Sequence, residues 1–498
     1  MTRTCTTLVI GAGFTGLGTA IKLREAGVED VVILERADRV GGTWRDATYP
    51  GAACDIPSLL YSFSFAPNPS WSRAYSPSAE ILRHIEDLAE RHGLLPLIEL
   101  QTEVTALELD EEAGEWVVST DRGTTFRART VVVASGPLSD ASLPDIRGLE
   151  SYEGARILSA RWDHDQDLAG KHVAVIGTGA SAVQIVPELV KTAASVKVFQ
   201  RTAGWVMPRV DLPIPGPARL AFAAVPRLQG LARTALFVSH EVAATGLVWD
   251  TPVTGLIQQL GRAHLRLTVR DPWLRRQLTP DFRAGCKRML MSSDYYPALQ
   301  QDNCKLITWP IATFTPDGIQ TSDGIRHELD AVVFATGYDV HLDGPPYPVT
   351  GLGGRSLSDD WQGHAEAYKS ASVHGYPNLF FTTGPNSGPG HNSLLVYVEG
   401  QIDYAVSGIR TILDRDLHQL DVKADVQRRY NEQMQRRLAR TTWMSGCSSW
   451  YLTADGHNAS MYPGFATQYR RQMKTFRTRD YDLVERRVAR AVGLAPVG

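Results

Sequence analysis

Thr6-Thr7-Leu8-Val9-Ile10-Gly11-Ala12-Gly13-Phe14-Thr15-Gly16, a helical stretch to about Ala26, and then Val31-Val32-Ile33-Leu34-Glu35 read as strand, GxGxxG, helix, strand and acid. Gly11 permits the tight turn, Gly13 lets a pyrophosphate approach the backbone, and Gly16 lets the helix pack on the strand, so that the helix N-terminus faces the phosphates. A GxGxxG in isolation says little. Here it stands between a strand and a helix, and Glu35 ends the second strand, where a carboxylate accepts ribose hydroxyls and repels a 2'-phosphate. The first nucleotide is therefore predicted to be FAD or NAD, not NADP.

Residues 171 to 202 repeat the unit. The strand His172-Val173-Ala174-Val175-Ile176 leads into Gly177-Thr178-Gly179-Ala180-Ser181-Ala182, then a helix, then Val196-Lys197-Val198-Phe199. Alanine is an accepted third residue of the fingerprint. The second strand now ends in Gln200-Arg201-Thr202, with no acid. A guanidinium and a hydroxyl there attract a 2'-phosphate through charge-assisted hydrogen bonds, so the second nucleotide is predicted to be NADP(H). Two sites of opposite ribose preference imply FAD held permanently and NADPH as its reductant.

Between the units lies Gly41-Gly42-Thr43-Trp44-Arg45-Asp46-Ala47-Thr48-Tyr49-Pro50-Gly51-Ala52-Ala53-Cys54-Asp55. It reads as the floor of a flavin site: adjacent glycines admit a ring, Trp44 offers a flat face, and Tyr49-Pro50-Gly51 forms a turn that aims Asp55 inward. Two further apolar strands end at glycine, Thr130 to Gly136 and Leu329 to Gly337, and mark crossings between a flavin domain and an inserted NADPH domain. The expected fold is α/β with two Rossmann-like dinucleotide-binding domains and an inserted helical segment. Its divisions are 1–145 and 335–498 for FAD, 146–210 and 281–334 for NADPH, and 211–280 for the helical insertion.

At 498 residues the chain exceeds one core. A net charge of -3 gives no basic face for nucleic acid. Met1 leads directly into a strand, which leaves no export signal and predicts a cytoplasmic protein. Cys5, Cys54, Cys286, Cys304 and Cys447 show neither CxxC nor metal spacing, so free thiols and no metal are expected. In the insertion, apolar helical spacing breaks near Pro226, Pro252 and Pro272, and no run reaches bilayer length, so no transmembrane segment is expected. Packed helices closing a domain, a lid over an apolar substrate path, and contact with a membrane surface are its readings, in that order. Later, the polar loop Gly384-Pro385-Asn386-Ser387-Gly388-Pro389-Gly390-His391-Asn392-Ser393 feeds a helix that starts near Leu394, and is placed to receive the electron-rich edge of a flavin.

Taken together, both dinucleotide units, the Gly41–Asp55 loop and Ala335-Thr336-Gly337 resemble the flavin-dependent monooxygenases, most closely the Baeyer–Villiger type. The loop fits that family's pattern (Gly-Gly-x-Trp, four residues, Tyr-Pro-Gly, three residues, Asp) at every fixed position. The resemblance implies that Gly42, Thr43, Trp44, Asp55, Tyr61, Val104 and Leu394 line FAD. It implies that Gly177, Thr178, Gly179, Ala180, Ser181, Ala182, Val183, Arg201, Thr202, Lys287 and Trp450 meet NADPH. Arg288 becomes the catalytic arginine, paired with Asp55.

The activity implied is insertion of one oxygen atom from O2 into a hydrophobic ketone, giving an ester or lactone through a C4a-peroxyflavin. One position departs. In the fingerprint between the units, Tyr152, Gly154, Trp162 and Asp163 fit, but the histidine position is Leu158, which neither donates, accepts nor titrates. N- or S-oxygenation, an NADPH oxidase and a nucleotide-binding flavoprotein remain the competing readings; a disulfide reductase lacks its cysteine pair.

Overall fold

The computed structural model describes residues 1–138, 140–339, 344–447, 449–453 and 455–486. Residue 139 of the predicted 1–145 segment, and 340–343, 448, 454 and 487–498 of the predicted 335–498 segment, lie outside the described residues.

Two sheets carry the two glycine-rich units. In the first, the strand Thr2–Ile10 lies between Val31–Leu34 and Thr125–Val133, parallel to both. Leu379–Phe381 joins the last of these, also parallel, and the antiparallel pair Val104–Asp110 and Glu115–Thr120 extends the sheet. Leu8, Val9 and Ile10 are all buried because both faces of this sheet are covered, which is why the strand is continuously apolar rather than alternating. The helices Phe14–Glu25 and Leu394–Asp414 pack on each other.

The second sheet is wholly parallel, in the order Cys304–Ile307, Ser195–Phe199, His172–Ile176, Ala331–Phe334, Ala155–Leu158. Its two glycine-ended connections run side by side: Tyr338–Asp339 pairs antiparallel with Asp140–Ala141. The chain is thus α/β with two dinucleotide-binding units, each strand–helix–strand in the order read from the sequence.

The insertion folds as Gly216–Ala224, Pro226–Leu247, Pro252–Thr268 and Pro272–Gln277. Prolines that break the apolar pattern open three of these helices, where the missing N–H costs nothing and the fixed φ suits the first turn. Among the described residues no helix is long and apolar enough to cross a membrane.

Candidate active site

Steric necessity builds the first nucleotide cradle. A Cβ on Gly16 would lie 1.8 Å from Gly11 O, and one on Gly11 (φ +106°) 2.7 Å from Ala134 O. Gly42 (φ +53°) faces Gly13, with a Cβ on the former 3.2 Å from Gly13 Cα, so two bare backbones confront each other. Buried Glu35 accepts from Ala12 N at 2.8 Å and Ala37 N at 3.0 Å, and pairs with Arg45 Nη1 at 2.9 Å. Arg45 was not singled out in the sequence; its ion pair fixes the carboxylate that the ribose reading requires. Because backbone cannot yield as a side chain can, Gly16→Ala is expected to cost about 3 kcal/mol, at the upper end for overpacking. The purified variant should carry much less flavin per protein in its visible spectrum; full flavin occupancy would contradict the cradle.

Around this cradle, Trp44 Nε1 donates to Tyr61 Oη at 3.0 Å, the two rings standing edge-on at 5.4 Å, and Phe14 meets Tyr61 edge-on at 5.7 Å. Leu394 packs into the same apolar cluster, whereas Val104 belongs to another, with Leu34 and Val133 behind the sheet. Thr43 Oγ1 reaches Leu138 O at a weak 3.4 Å. In the loop before Leu394, His391 Nδ1 and Asn392 Nδ2 are buried without a hydrogen-bond partner. Buried polar atoms normally have one, so this loop retains bonding capacity that the electron-rich edge of a flavin fits.

The second cradle repeats the first. Gly177 (φ +115°) would place a Cβ 2.3 Å from Ala335 O, while a Cβ on Gly179 would meet nothing within 4 Å, which leaves open space over that backbone. Thr178 Oγ1 donates to Thr202 O at 3.0 Å, tying the turn to the end of the next strand. Ala182 and Val183 have their side chains in the core of the second sheet, and Ala180 packs against it, so packing accounts for these three side chains. Exposed Arg201 and half-buried Lys287 lie close enough that Lys287 is lowered from the usual lysine range, chiefly by burial and then by the Arg201 charge. Neither cation has an ion pair among the described residues, an arrangement that calls for an anion.

Arg288 spans the two units. Its Nε and Nη2 donate to the same oxygen of Asp55, at 2.9 and 2.5 Å, leaving Nη1 without a partner among the described residues. Asp55 is the more enclosed, its side chain 17% exposed against 48% for Arg288. The Asp55 charge raises the guanidinium still further above its ordinary range, so it stays cationic. Burial pushes neighbouring Tyr451 up to about 12, opposed by the Arg288 charge. Trp450 is half-exposed and edge-on to Tyr451 at 4.5 Å.

One sequence expectation changes here. Cys286 and Cys447 are not free thiols: they form a disulfide across 161 residues, joining the Arg288 segment to the Trp450 segment. Spacing reveals only local pairs, and this one is created by the fold bringing their Cα atoms to 6.2 Å. Cys5, Cys54 and Cys304 are free, as expected. Leu158 ends the edge strand of the second sheet and, like Ile146 and Ile311, packs against the apolar cluster that holds Tyr152 and Phe334. Other fingerprint residues also serve the fold: Tyr152 Oη donates to Leu329 O at 3.1 Å, and a Cβ on Gly154 would lie 2.2 Å from that hydroxyl.

Three further contacts escaped sequence reading because each joins distant segments. Gln184 of the second unit bonds Tyr49 Oη at 3.0 Å and Ala53 O at 3.0 Å, fastening the Gly41–Asp55 loop to the second cradle. Arg233 of the insertion donates to Leu59 O and Ser62 O at 2.9 and 2.8 Å. Glu241 of the same helix accepts from His391 Nε2, Ala466 N and Thr467 N, each at 3.0 Å.

Comparison with known proteins places the chain among flavin-dependent relatives. Residues 8–214 match the family described as pyridine nucleotide-disulphide oxidoreductase. A "Baeyer-Villiger monooxygenase" of Streptomyces coelicolor is 42% identical, over 97% of this chain and 92% of that protein. A solved structure of OTEMO in complex with FAD and NADP superposes with a TM-score of 0.86 at 25% identity, over 96% of this chain and 99% of the other. A cyclohexanone-bound cyclohexanone monooxygenase gives 0.85 at 27% identity, over 97% and 100%.

Proposed function

The chain belongs to the Baeyer–Villiger monooxygenases, and we propose that it inserts one oxygen atom from O2 into a hydrophobic ketone to give an ester or lactone. It is a flavin monooxygenase whose cofactors are FAD and NADPH. The observation that carries the ketone reading is the Arg288–Asp55 pair: a permanent cation held at one edge by a carboxylate, with no partner for Nη1 among the described residues.

FAD would be held by residues 1–145 and 335–498, with Gly11, Gly13, Gly16 and Gly42 against its pyrophosphate and Glu35 at its ribose. Trp44, Tyr61, Leu394 and the loop ending at Ser393 would surround its ring. Gly177 and Gly179 would receive the NADPH pyrophosphate, and Arg201, Thr202 and Lys287 its 2'-phosphate. Bound there, the flavin supplies hydride uptake from NADPH and activation of O2.

The protein's own contribution is positioning and charge. Asp55 holds Arg288 in place, so little reorganisation is needed when negative charge develops on the carbonyl oxygen of the substrate. A neutral donor would lose its proton or its orientation; an arginine does neither. Gln184 keeps the Asp55 loop against the NADPH unit, so reductant binding and the position of the arginine are mechanically linked.

Reductant choice is tested separately. Arg201→Ala is expected to lower kcat/KM for NADPH by roughly 10- to 100-fold, the value of a charge-assisted contact to phosphate, and to leave NADH nearly unchanged. Equal losses with both nucleotides would remove Arg201 from the 2'-phosphate site. Ketone chemistry itself is tested with a substrate that carries both a ketone and a sulfide. Ester as the main product supports the reading, and sulfoxide alone overturns it in favour of S-oxygenation.

A further inference from the structure

The inserted helices turn apolar stripes outward as well as inward. In Pro252–Thr268 the buried positions are Thr254, Gln258, Gly261 and Leu265, whereas Leu256, Leu260 and Leu267 point outward at 56%, 52% and 87% exposure. With exposed Ala263 these form one stripe at spacings of four, three and four residues. Pro226–Leu247 does the same: it buries Gln229, Ala244 and Gly246, and exposes Leu231, Ala235, Val238 and Val242 at the same spacings. Gly216–Ala224 buries nothing, and its Leu220 is 72% exposed. A surface helix of a soluble protein turns its apolar stripe inward; two consecutive helices that turn one outward, beside a third with exposed Leu220, mark a face that meets something apolar.

Charge identifies the occupant. The exposed arginines Arg219, Arg227, Arg262, Arg266, Arg270 and Arg276 flank these stripes, and none has an ion pair among the described residues. The chain as a whole carries -3, so this is a local cationic rim on an acidic protein. Exposed Trp273, with Arg276 6.0 Å from its ring, adds a side chain that partitions to the bilayer–water boundary. A second copy of the chain would bring the same arginines face to face across a two-fold contact. Leucines that insert among acyl chains and arginines that meet phosphate headgroups suit both features at once.

We infer that the inserted helices Gly216–Gln277 form a peripheral docking face for an anionic lipid bilayer. The apolar stripes enter the acyl boundary and the arginines contact the headgroups, with no segment crossing the membrane. Of the three uses of this segment that its sequence allowed, membrane contact ranked last; the outward leucines move it to first.

The test is flotation of the full-length, flavin-loaded protein with vesicles of phosphatidylcholine alone or mixed with phosphatidylglycerol, at low and high salt. The protein is expected to float with the anionic vesicles at low salt and to be released as salt rises. Leu260→Glu and Leu267→Glu should each weaken binding roughly tenfold or more, from the lost burial of a leucine. Arg266→Ala or Arg270→Ala should cost roughly fivefold each. Flavin content and melting temperature should be unchanged in all four, since these side chains are exposed. Absence of flotation with anionic vesicles at low salt overturns the inference, as does flotation insensitive to all four substitutions. A stable dimer in sedimentation that dissociates on Leu260→Glu also overturns it, by showing that the face covers a second copy.

Discussion

Arg288→Ala is expected to lower ester formation by roughly a hundredfold or more while flavin stays bound, because a donor placed at developing oxyanion charge is worth about 3 to 4 kcal/mol. The structure gives the reason for so large a value. Nε and Nη2 are both spent on one oxygen of Asp55, so the guanidinium cannot swing away, and Nη1 is the group left to act. Substitution by lysine retains charge but not the fork, and a single ammonium cannot both bond Asp55 with that geometry and present a second donor. Arg288→Lys should therefore recover only part of the loss. Both variants should be reduced by NADPH with little change in flavin content. Near-normal ester yield in Arg288→Ala would remove Arg288 from the chemistry.

The second large effect lies away from the reacting atoms. Glu241→Ala should destabilise the protein by about 3 to 5 kcal/mol, the cost of breaking a buried charged network by deleting one member. Ionised glutamate only accepts, so His391 Nε2 carries the proton it shares with Glu241. Deletion strands that imidazole, whose side chain is fully buried, and the two amides that open the helix Ala466–Met473. It also releases the insertion from the loop before Leu394, so flavin retention should fall with stability.

The same carboxylate predicts a pH dependence. Burial alone would push Glu241 up, but hydrogen bonds from His391, Thr467 and Ala466 outweigh it and hold it at about 2, against an ordinary 4.5. A depressed carboxylate stabilises the fold above its unfolded value and loses that contribution as pH falls through the folded one. About 3 kcal/mol should therefore disappear between roughly pH 4.5 and 2. In thermal melts across that range, Glu241→Gln should show a shallower decline than the unsubstituted protein. Parallel declines would mean that the network contributes nothing to acid sensitivity.

What the sequence revealed and what it hid divide along a physical line. Gly11, Gly16 and Gly177 were legible because a Cβ at each would collide with backbone, a local constraint that admits one residue type. Pro226, Pro252 and Pro272 were legible as breaks, because proline cannot continue a helix but readily begins one. Asp55 and Arg288, 233 residues apart, were paired only through the family resemblance; no spacing rule connects them. Glu241 and His391 met no rule at all, since their 150-residue separation closes only in three dimensions. The Cys286–Cys447 bond is the sharpest case: counting cysteines predicted thiols, and the fold supplied the partner. The insertion failed differently, because its 3.6-residue periodicity was visible but not which way the apolar stripe turned. Periodicity gives a face, and only packing says whether that face looks inward.

The most direct test of the account is the ratio of ester formed to NADPH consumed when the purified, flavin-loaded protein is incubated in air with a panel of hydrophobic ketones. A near-stoichiometric ester or lactone yield on at least one ketone, reduced in Arg288→Ala, is the predicted result. Hydrogen peroxide equal to the NADPH consumed across the whole panel, with no ester, would contradict it and make the chain an NADPH oxidase.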